Sequence, residues 1–375
     1  MLGATLPAGP AAAAAAAPAA APVEAPRPLS FTDDGLRLSP GEYARLLVTL
    51  EQAGQAAADI YLEGGAVAAM EQKFARALGK ERALFLPSGT LANHLALRHL
   101  AGGRTRVIVP AESHIYCDSA DCVQALSHLN LVPLGPGRAT FTVQEVQAAC
   151  ERATSGPFPT PIGALSIECP VRRRDGEVFD FEELQRIAAY ARQHDLKLHL
   201  DGARLFLAAA WTGIPPQSYA ALFDTVYISL YKCFNAGSGA VLAGPKEHLE
   251  PISHDRKLFG GSLLHAWQFA AVAGHYLDGY WERSLRAVAV ARELFVLLGK
   301  HPRLRLESIP HGSNIHKLRV QGGNLEAYQA ALKAQGVLLP RPSRDFPGFE
   351  LRINESLCTE SAPRLARLFT QALPA

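Results

Sequence analysis

The sequence has almost no net charge: 37 Lys and Arg stand against 35 Asp and Glu, leaving +2 with histidine neutral. So even a balance excludes nucleic acid or an anionic membrane as an expected partner. Cysteine is scarce as well. The six residues, Cys117, Cys122, Cys150, Cys169, Cys233 and Cys358, form no CxxC pair. That argues against a zinc site and against a disulfide framework, and no metal is expected. Unpaired thiols suit a reducing compartment without proving one. No stretch of 18 or more apolar residues flanked by charge marks a membrane span, and no internal repeat is visible. The basic run Arg172-Arg173-Arg174 is short and flanked by Asp175 and Glu177, so it reads as a solvated loop.

What is present is ample for a globular enzyme. The 375 residues can build a large core and more than one lobe, with 48% hydrophobic and 19% charged positions. Residues 1–28, nearly all Ala, Pro and Gly, cannot bury a core and read as a disordered leader. The leader leaves open a second reading, the tail of an export signal whose basic start is missing. Cytoplasm is the expected compartment, with export to a periplasm as the alternative. The expected organisation is an N-terminal arm at 29–60, a large domain at 61–277 and a small C-terminal domain at 278–375.

From Arg82 onward short apolar runs alternate with amphipathic segments. Ala83–Leu86, Val107–Pro110, Leu131–Leu134, Ala164–Ile167, Leu196–Leu200, Val226–Leu230 and Ala240–Ala243 read as buried strands. Helical patterns lie between them at Leu91–Leu100, Val143–Arg152 and Phe181–His194, the last opened by Asp180 with Glu183 three residues on. This alternation predicts an α/β fold with a mostly parallel sheet covered on both faces. Leu263 to about Lys300 reads as one long helical stretch, bent or broken near Gly279. It leads to a smaller lobe with strands at Ile315–Val320 and Phe349–Ile353 and a helix near Leu325–Ala334.

Three short strings carry chemistry. Ser88-Gly89-Thr90 follows a strand and opens a helix, where backbone N–H groups and hydroxyls make a phosphate cradle. Alone it reads equally as a turn with an N-cap. Asp201 closes the strand of His199-Leu200-Asp201-Gly202-Ala203-Arg204, at the sheet edge where ligands bind, and could pair with a protonated ring nitrogen. Alone it could simply cap the next helix. Lys232 closes the next strand, desolvated enough to favour a neutral amine, and is followed by Asn235-Ala236-Gly237-Ser238-Gly239. Alone it could be a snorkelling surface lysine. Together, in this order, they supply what pyridoxal 5'-phosphate requires.

These strings, with Thr32-Asp33-Asp34 and Arg256-Lys257-Leu258-Phe259-Gly260-Gly261, resemble the threonine aldolase and β-eliminating lyase family of fold-type I pyridoxal-phosphate enzymes. The likeness runs from about Phe31 to Arg352, and a lysine 31 residues past the Asp of His-Leu-Asp-Gly-Ala-Arg is its most discriminating part. It implies a seven-stranded, mostly parallel sheet with a smaller α+β domain. It implies that Lys232 forms the Schiff base, that Asp201 pairs with the pyridine nitrogen, and that Ser88, Gly89 and Thr90 hold the phosphate. His114, in Ser113-His114-Ile115-Tyr116, would stack on the ring and act near the substrate hydroxyl. Arg204 would hold cofactor or substrate oxygens, Thr32 would touch substrate, and Arg352 would bind the α-carboxylate through its bidentate fork. Lys257 would help complete a neighbouring subunit's site, implying a homodimer or homotetramer with sites at the dimer interface. His199 shares a strand face with Asp201 but reads as structural.

Two departures bear on the reaction. Leu264, beside His265, replaces an arginine expected seven residues after Lys257, and Tyr116-Cys117-Asp118-Ser119-Ala120 lacks an acidic-then-diglycine run. The reaction the resemblance implies is cleavage of a β-hydroxy-α-amino acid of the threonine or allo-threonine type to glycine and an aldehyde. The alternatives are β-elimination or a related lyase reaction on another amino acid, and a silent pyridoxal-phosphate-binding protein.

Overall fold

In the computed structural model, which describes residues 27–374, the chain builds two sheets of unequal size around separate cores. The expected leader at 1–28 lies outside the described residues apart from Arg27 and Pro28. The strands in chain order are β1 (Leu29–Ser30), β2 (Arg82–Leu86), β3 (Arg106–Pro110), β4 (Asn130–Leu134), β5 (Ile162–Glu168) and β6 (Lys197–Asp201). They continue with β7 (Thr225–Ser229), β8 (Ala240–Gly244), β9 (Leu304–Ser308), β10 (Ile315–Val320), β11 (Val337–Leu338) and β12 (Gly348–Arg352). The large sheet has seven strands in the order β2-β8-β7-β6-β5-β3-β4, and only β8 runs antiparallel to its neighbours.

Strands β5, β7 and β8 are buried along their whole length, as expected for a sheet covered on both faces. One cover is the helix Gly65–Leu78, whose Ala66, Val67, Met70, Phe74 and Leu78 form one apolar stripe. The Phe74 ring meets Phe234 edge-on, with centroids 5.0 Å apart, and Phe234 also packs against Phe206 and Tyr280. Phe234 lies two residues beyond Lys232, so this aromatic cluster anchors the backbone that carries the lysine.

The smaller sheet is antiparallel, ordered β12-β10-β9. Its core takes in Leu29 and Phe31 from the start of the described chain, and Phe31 O accepts a hydrogen bond from Arg352 N at 2.9 Å. The arm then crosses toward the large sheet. Gly35 lies so close to the loop after Lys232 that a Cβ there would overlap Lys232 O and Asn235 Oδ1.

The helical stretch expected from 263 to about 300 is broken at Gly279, the second of the two alternatives, and begins at Trp267. Trp267–Leu277 and Tyr280–Leu298 are separate helices, because Gly279 adopts a left-handed conformation, φ +66°, that ends one and begins the other. Among the described residues no helix is long and apolar enough to cross a membrane.

Candidate active site

The carboxyl ends of the parallel strands meet at one edge of the large sheet, and most of the anticipated residues gather there. Ser88, Gly89, Thr90, His114, Asp201, Arg204 and Lys232 line one cavity, together with Asn93, Glu168, Arg172, Tyr227, Tyr231 and Ser238. A second cavity, with Lys232, Arg204 and Tyr231 also in its wall, is lined by Thr32, Asp33, Asp34 and Arg352. Lys232 therefore stands between a pocket built by strand ends and a pocket built by the arm and β12.

The helix Gly89–Leu100 opens on the first cavity. Ser88 caps it by accepting from Leu91 N at 3.3 Å, and the amides of Gly89 and Thr90 fall among those that have no intrahelical acceptor at a helix start. A Cβ on Gly89 would overlap the Tyr227 hydroxyl, so only glycine lets the helix start come this close to β7.

Asp201 is buried at the end of β6 and accepts from Asn93 Nδ2 at 2.6 Å and from Ala203 N at 3.2 Å. Its partner in register on β5 is Glu168, also buried, which accepts from His114 N at 2.5 Å and Arg172 N at 2.9 Å. Burial first, and then the Asp201 charge, pushes the Glu168 carboxyl up to about 7. The Lys232 amine is pushed down to about 8, chiefly by burial and next by the Arg204 guanidinium. Burial also lowers His114, against the pull of Asp201.

The tautomer of His114 follows from Ser119. The single hydroxyl proton of Ser119 goes to His114 O at 3.0 Å, so Ser119 Oγ must accept from His114 Nδ1 at 3.1 Å. Nε2 is then the nitrogen that can take a proton.

In the second cavity Arg204 is committed to Asp34 at 2.7 Å, while Arg352 reaches the other oxygen of Asp34 at 3.4 Å and Asn314 donates to that oxygen at 3.2 Å. Burial alone would raise Asp34, but Arg204 and Arg352 outweigh it and hold the carboxyl below its ordinary value. Thr32 Oγ1 shares hydrogen bonds with Asp33 and with Ser30 Oγ, the latter at 2.8 Å.

Lys257 is set apart. It lies exposed near the end of the helix Lys246–Leu258 and lines neither cavity. His199 lies behind Asn93, outside the lining of both cavities. The Arg172–Arg174 run is exposed, as a solvated loop should be, yet Arg172 closes a wall of the first cavity while pairing with Asp118 at 2.5 Å.

Sequence reasoning gave no role to Asn93, Glu168 or Asp34. Glu168 had a signal, since it ends a buried strand just as Asp201 does. Asn93 had one too, four residues beyond Gly89 and hence on the same helix face. Asp34 stood in the string Thr32-Asp33-Asp34, but nothing there pointed to its partners, which lie 170 and 318 residues away.

The family model described as β-eliminating lyase matches residues 51–315. The low-specificity L-threonine aldolase of Saccharomyces cerevisiae is 32% identical over 228 residues, 60% of this chain and 58% of that protein. An alanine racemase of Cochliobolus carbonum is 30% identical over 216 residues, 57% of this chain and 55% of the relative. The chain thus spans less than two thirds of the length of these curated relatives. Among solved structures, that of a Leishmania major threonine aldolase superposes with a TM-score of 0.67 at 20% identity, covering 92% of this chain and 98% of that one. At that identity the likeness speaks for the fold, the fold-type I arrangement of a mostly parallel seven-stranded sheet with a smaller second lobe.

Proposed function

Because the chain belongs to the β-eliminating lyase family, we propose that it is a pyridoxal-phosphate-dependent aldolase that cleaves a β-hydroxy-α-amino acid of the threonine type to glycine and an aldehyde. The observation that carries this reading is the pairing of Lys232, its amine pushed down to about 8, with a buried Asp201 in the wall of one cavity.

The residues present fit the cofactor. Gly89 and Thr90 offer unpaired amides at a helix start for a phosphate, and the absence of a Cβ at Gly89 keeps that approach open. Asp201 offers a buried acceptor for a ring N–H, and Lys232 an amine for an aldehyde. When bound, pyridoxal phosphate supplies a Schiff-base carbon and a ring that withdraws electrons from the substrate α-carbon.

The chain's own groups divide the remaining work. Lys232 would hold the cofactor aldehyde through its amine, which burial keeps partly neutral. Arg352, more loosely tied to Asp34 than Arg204 is, orients the α-carboxylate. His114, held neutral by burial and fixed in its Nδ1–H tautomer by Ser119, takes the β-hydroxyl proton on Nε2 as the carbon–carbon bond opens. Asp201 would hold the ring N–H of the bound cofactor through its buried carboxylate.

A homodimer completes the picture. Ile60, Tyr61 and Leu264 are exposed large apolar side chains, and Tyr61 N donates to Leu264 O at 2.9 Å, which places them together. Such a patch suits a second copy of this chain, with Lys257 reaching toward the partner's cavity. The cytoplasm is the compartment we favour, since all six cysteines are free thiols.

Two measurements test the reading. In Lys232→Ala the visible band of the bound cofactor should vanish, and a full-strength band would refute the assignment. With a panel of amino acids, aldehyde and glycine are the expected products. Keto acid with ammonia would instead establish β-elimination, and inverted α-carbon stereochemistry would establish racemisation.

A further inference from the structure

Behind Asp201 three buried side chains continue its hydrogen bond into the core. Asn93 Nδ2 donates to Asp201 Oδ2 at 2.6 Å, Asn93 Oδ1 lies 2.9 Å from His199 Nε2, and His199 Nδ1 lies 2.8 Å from Thr225 Oγ1. Asn93 is 1% exposed, while His199 and Thr225 are fully buried. They come from three elements: the helix that opens at Gly89, strand β6 and strand β7.

The direction of this chain is determined. Turning the Asn93 amide over would set its oxygen against a carboxylate oxygen, acceptor against acceptor. Asn93 Oδ1 therefore faces His199, and His199 Nε2 must carry the proton that it accepts. Burial pushes the imidazole down to about 4, so at neutral pH it has one proton only, and Nδ1 is an acceptor. Thr225 then donates. Thr225 to His199 to Asn93 to Asp201, every donor points toward the carboxylate.

Resting on the pyridoxal-phosphate reading above, we propose that Asn93, His199 and Thr225 are positioning residues: a one-way relay of donors that keeps the charge on Asp201 and aims its free lone pairs at the cofactor ring. The relay also settles a competition. Glu168 pairs with Asp201 in register, and two adjacent buried carboxylates do not both ionise cheaply. The other ionisable groups that influence or adjoin Asp201 are His114, Lys232, Tyr227 and Arg204. Glu168 has two backbone amides as donors, whereas Asp201 has a backbone amide and the end of a polarised chain. Glu168, pushed up to about 7 by burial and by the Asp201 charge, is the carboxyl of the two that takes up a proton near neutral pH.

The test has two arms. In the first, the full chain without cofactor is labelled with ¹⁵N-histidine, and the His199 signal is identified by its loss in His199→Gln. The expected result is a neutral ring protonated at Nε2, unchanged as pH falls from 8 to 6. An Nδ1–H ring, or one that protonates in that interval, overturns the relay. In the second arm, pyridoxal phosphate is titrated into the wild type, Asn93→Leu, Thr225→Val and Thr225→Ser, each checked for a wild-type melting transition. Asn93→Leu should raise the cofactor Kd about tenfold or more, as expected for a lost hydrogen bond to a charged group, and should make the visible band sensitive to pH where the wild-type band is not. Thr225→Val should raise Kd about threefold, and Thr225→Ser should restore it. If Asn93→Leu does not fold, the Thr225 pair and the histidine spectrum decide. A folded Asn93→Leu with wild-type Kd and band overturns the relay alone. A wild-type chain that takes up no cofactor overturns the relay and the functional reading together.

Discussion

Ser119 donates its only proton to a backbone carbonyl, which obliges His114 to donate from Nδ1 and frees Nε2 as base. Ser119→Ala removes that constraint without touching the cavity wall, so kcat should fall while KM changes little. His114→Phe should cost about 10²- to 10⁴-fold in kcat, the usual worth of a positioned base. The sign of the pH dependence follows from burial. His114 titrates below its ordinary 6.5, and the base must be unprotonated, so the acid limb of the kcat profile should lie below pH 6.5 in the wild type and disappear in His114→Phe. Lys232 gives a second profile. Its amine is neutral only above about 8, so stopped-flow uptake of pyridoxal phosphate should accelerate about tenfold per pH unit up to that point and then level off. The strings around His114 and Lys232 pointed to the cavity that both residues line. Glu168 and Asn93 carried weaker signals, a carboxylate at a strand end and an amide on the helix face of Gly89, and what each does depends on the group it faces.

At the level of elements, the start of the helix Gly89–Leu100 presses directly on Tyr227 of β7. Gly89→Ala would drive a methyl into the Tyr227 ring and hydroxyl, tilting the helix start away from the cavity. The expected outcome is a folded protein whose affinity for pyridoxal phosphate or inorganic phosphate, read by titration calorimetry, falls about tenfold or more, with partial recovery when Tyr227→Phe is added. All seven strands of the large sheet were legible: β5, β7 and β8 as the largely apolar runs of strands buried on both faces, and the half-exposed edge strand β4 by its Leu-Val-Pro-Leu run. Other elements hid themselves. Strand β9, Leu-Arg-Leu-Glu-Ser, is half exposed and carries little apolar signal. The helix Lys246–Leu258 contains Pro251, which argues against a helix in any single-sequence reading. The helix Pro40–Gln52 opens on a capping box of Ser39 and Glu42 that was not read as a helix start. Its signal lay in a segment expected to be an arm.

At the scale of the whole molecule, His316 lies where the small sheet meets a helix of the large lobe. On β10 of the small sheet, its ring lies 4.5 Å from that of Trp211, at the end of a helix of the large lobe, and 4.6 Å from that of Phe295. Neither nitrogen finds a partner at normal hydrogen-bond geometry, and burial pushes the ring down to about 4 against a small contrary pull from the Ser313 backbone. A histidine that resists protonation when folded binds its proton first when unfolded. Stability is therefore complete at pH 7 and is lost as pH falls from 6.5 toward 4, by roughly 2 kcal/mol at pH 5 for this residue. His94 and His199, also pushed down to about 4, add in the same direction. In His316→Phe the gap between melting temperatures at pH 7 and pH 5 should narrow, and an unchanged gap would exclude this residue as its source. Assembly can be tested at the same scale. If Tyr61 and Leu264 meet a second copy, Tyr61→Asp with Leu264→Asp should convert the particle measured by light scattering to a monomer, with loss of activity.

The ion pair between Arg204 and Asp34, with Arg352 and Asn314 on the same carboxylate, ties the second cavity to both extremes of the described chain. A nascent polypeptide still lacking residues 314 and 352 can hold every strand of the large sheet and yet offer Asp34 only Arg204 of its three partners. Capacity to engage an amino acid would thus arrive late in synthesis, after the large sheet has formed, and an incomplete chain on the ribosome would be spared premature chemistry.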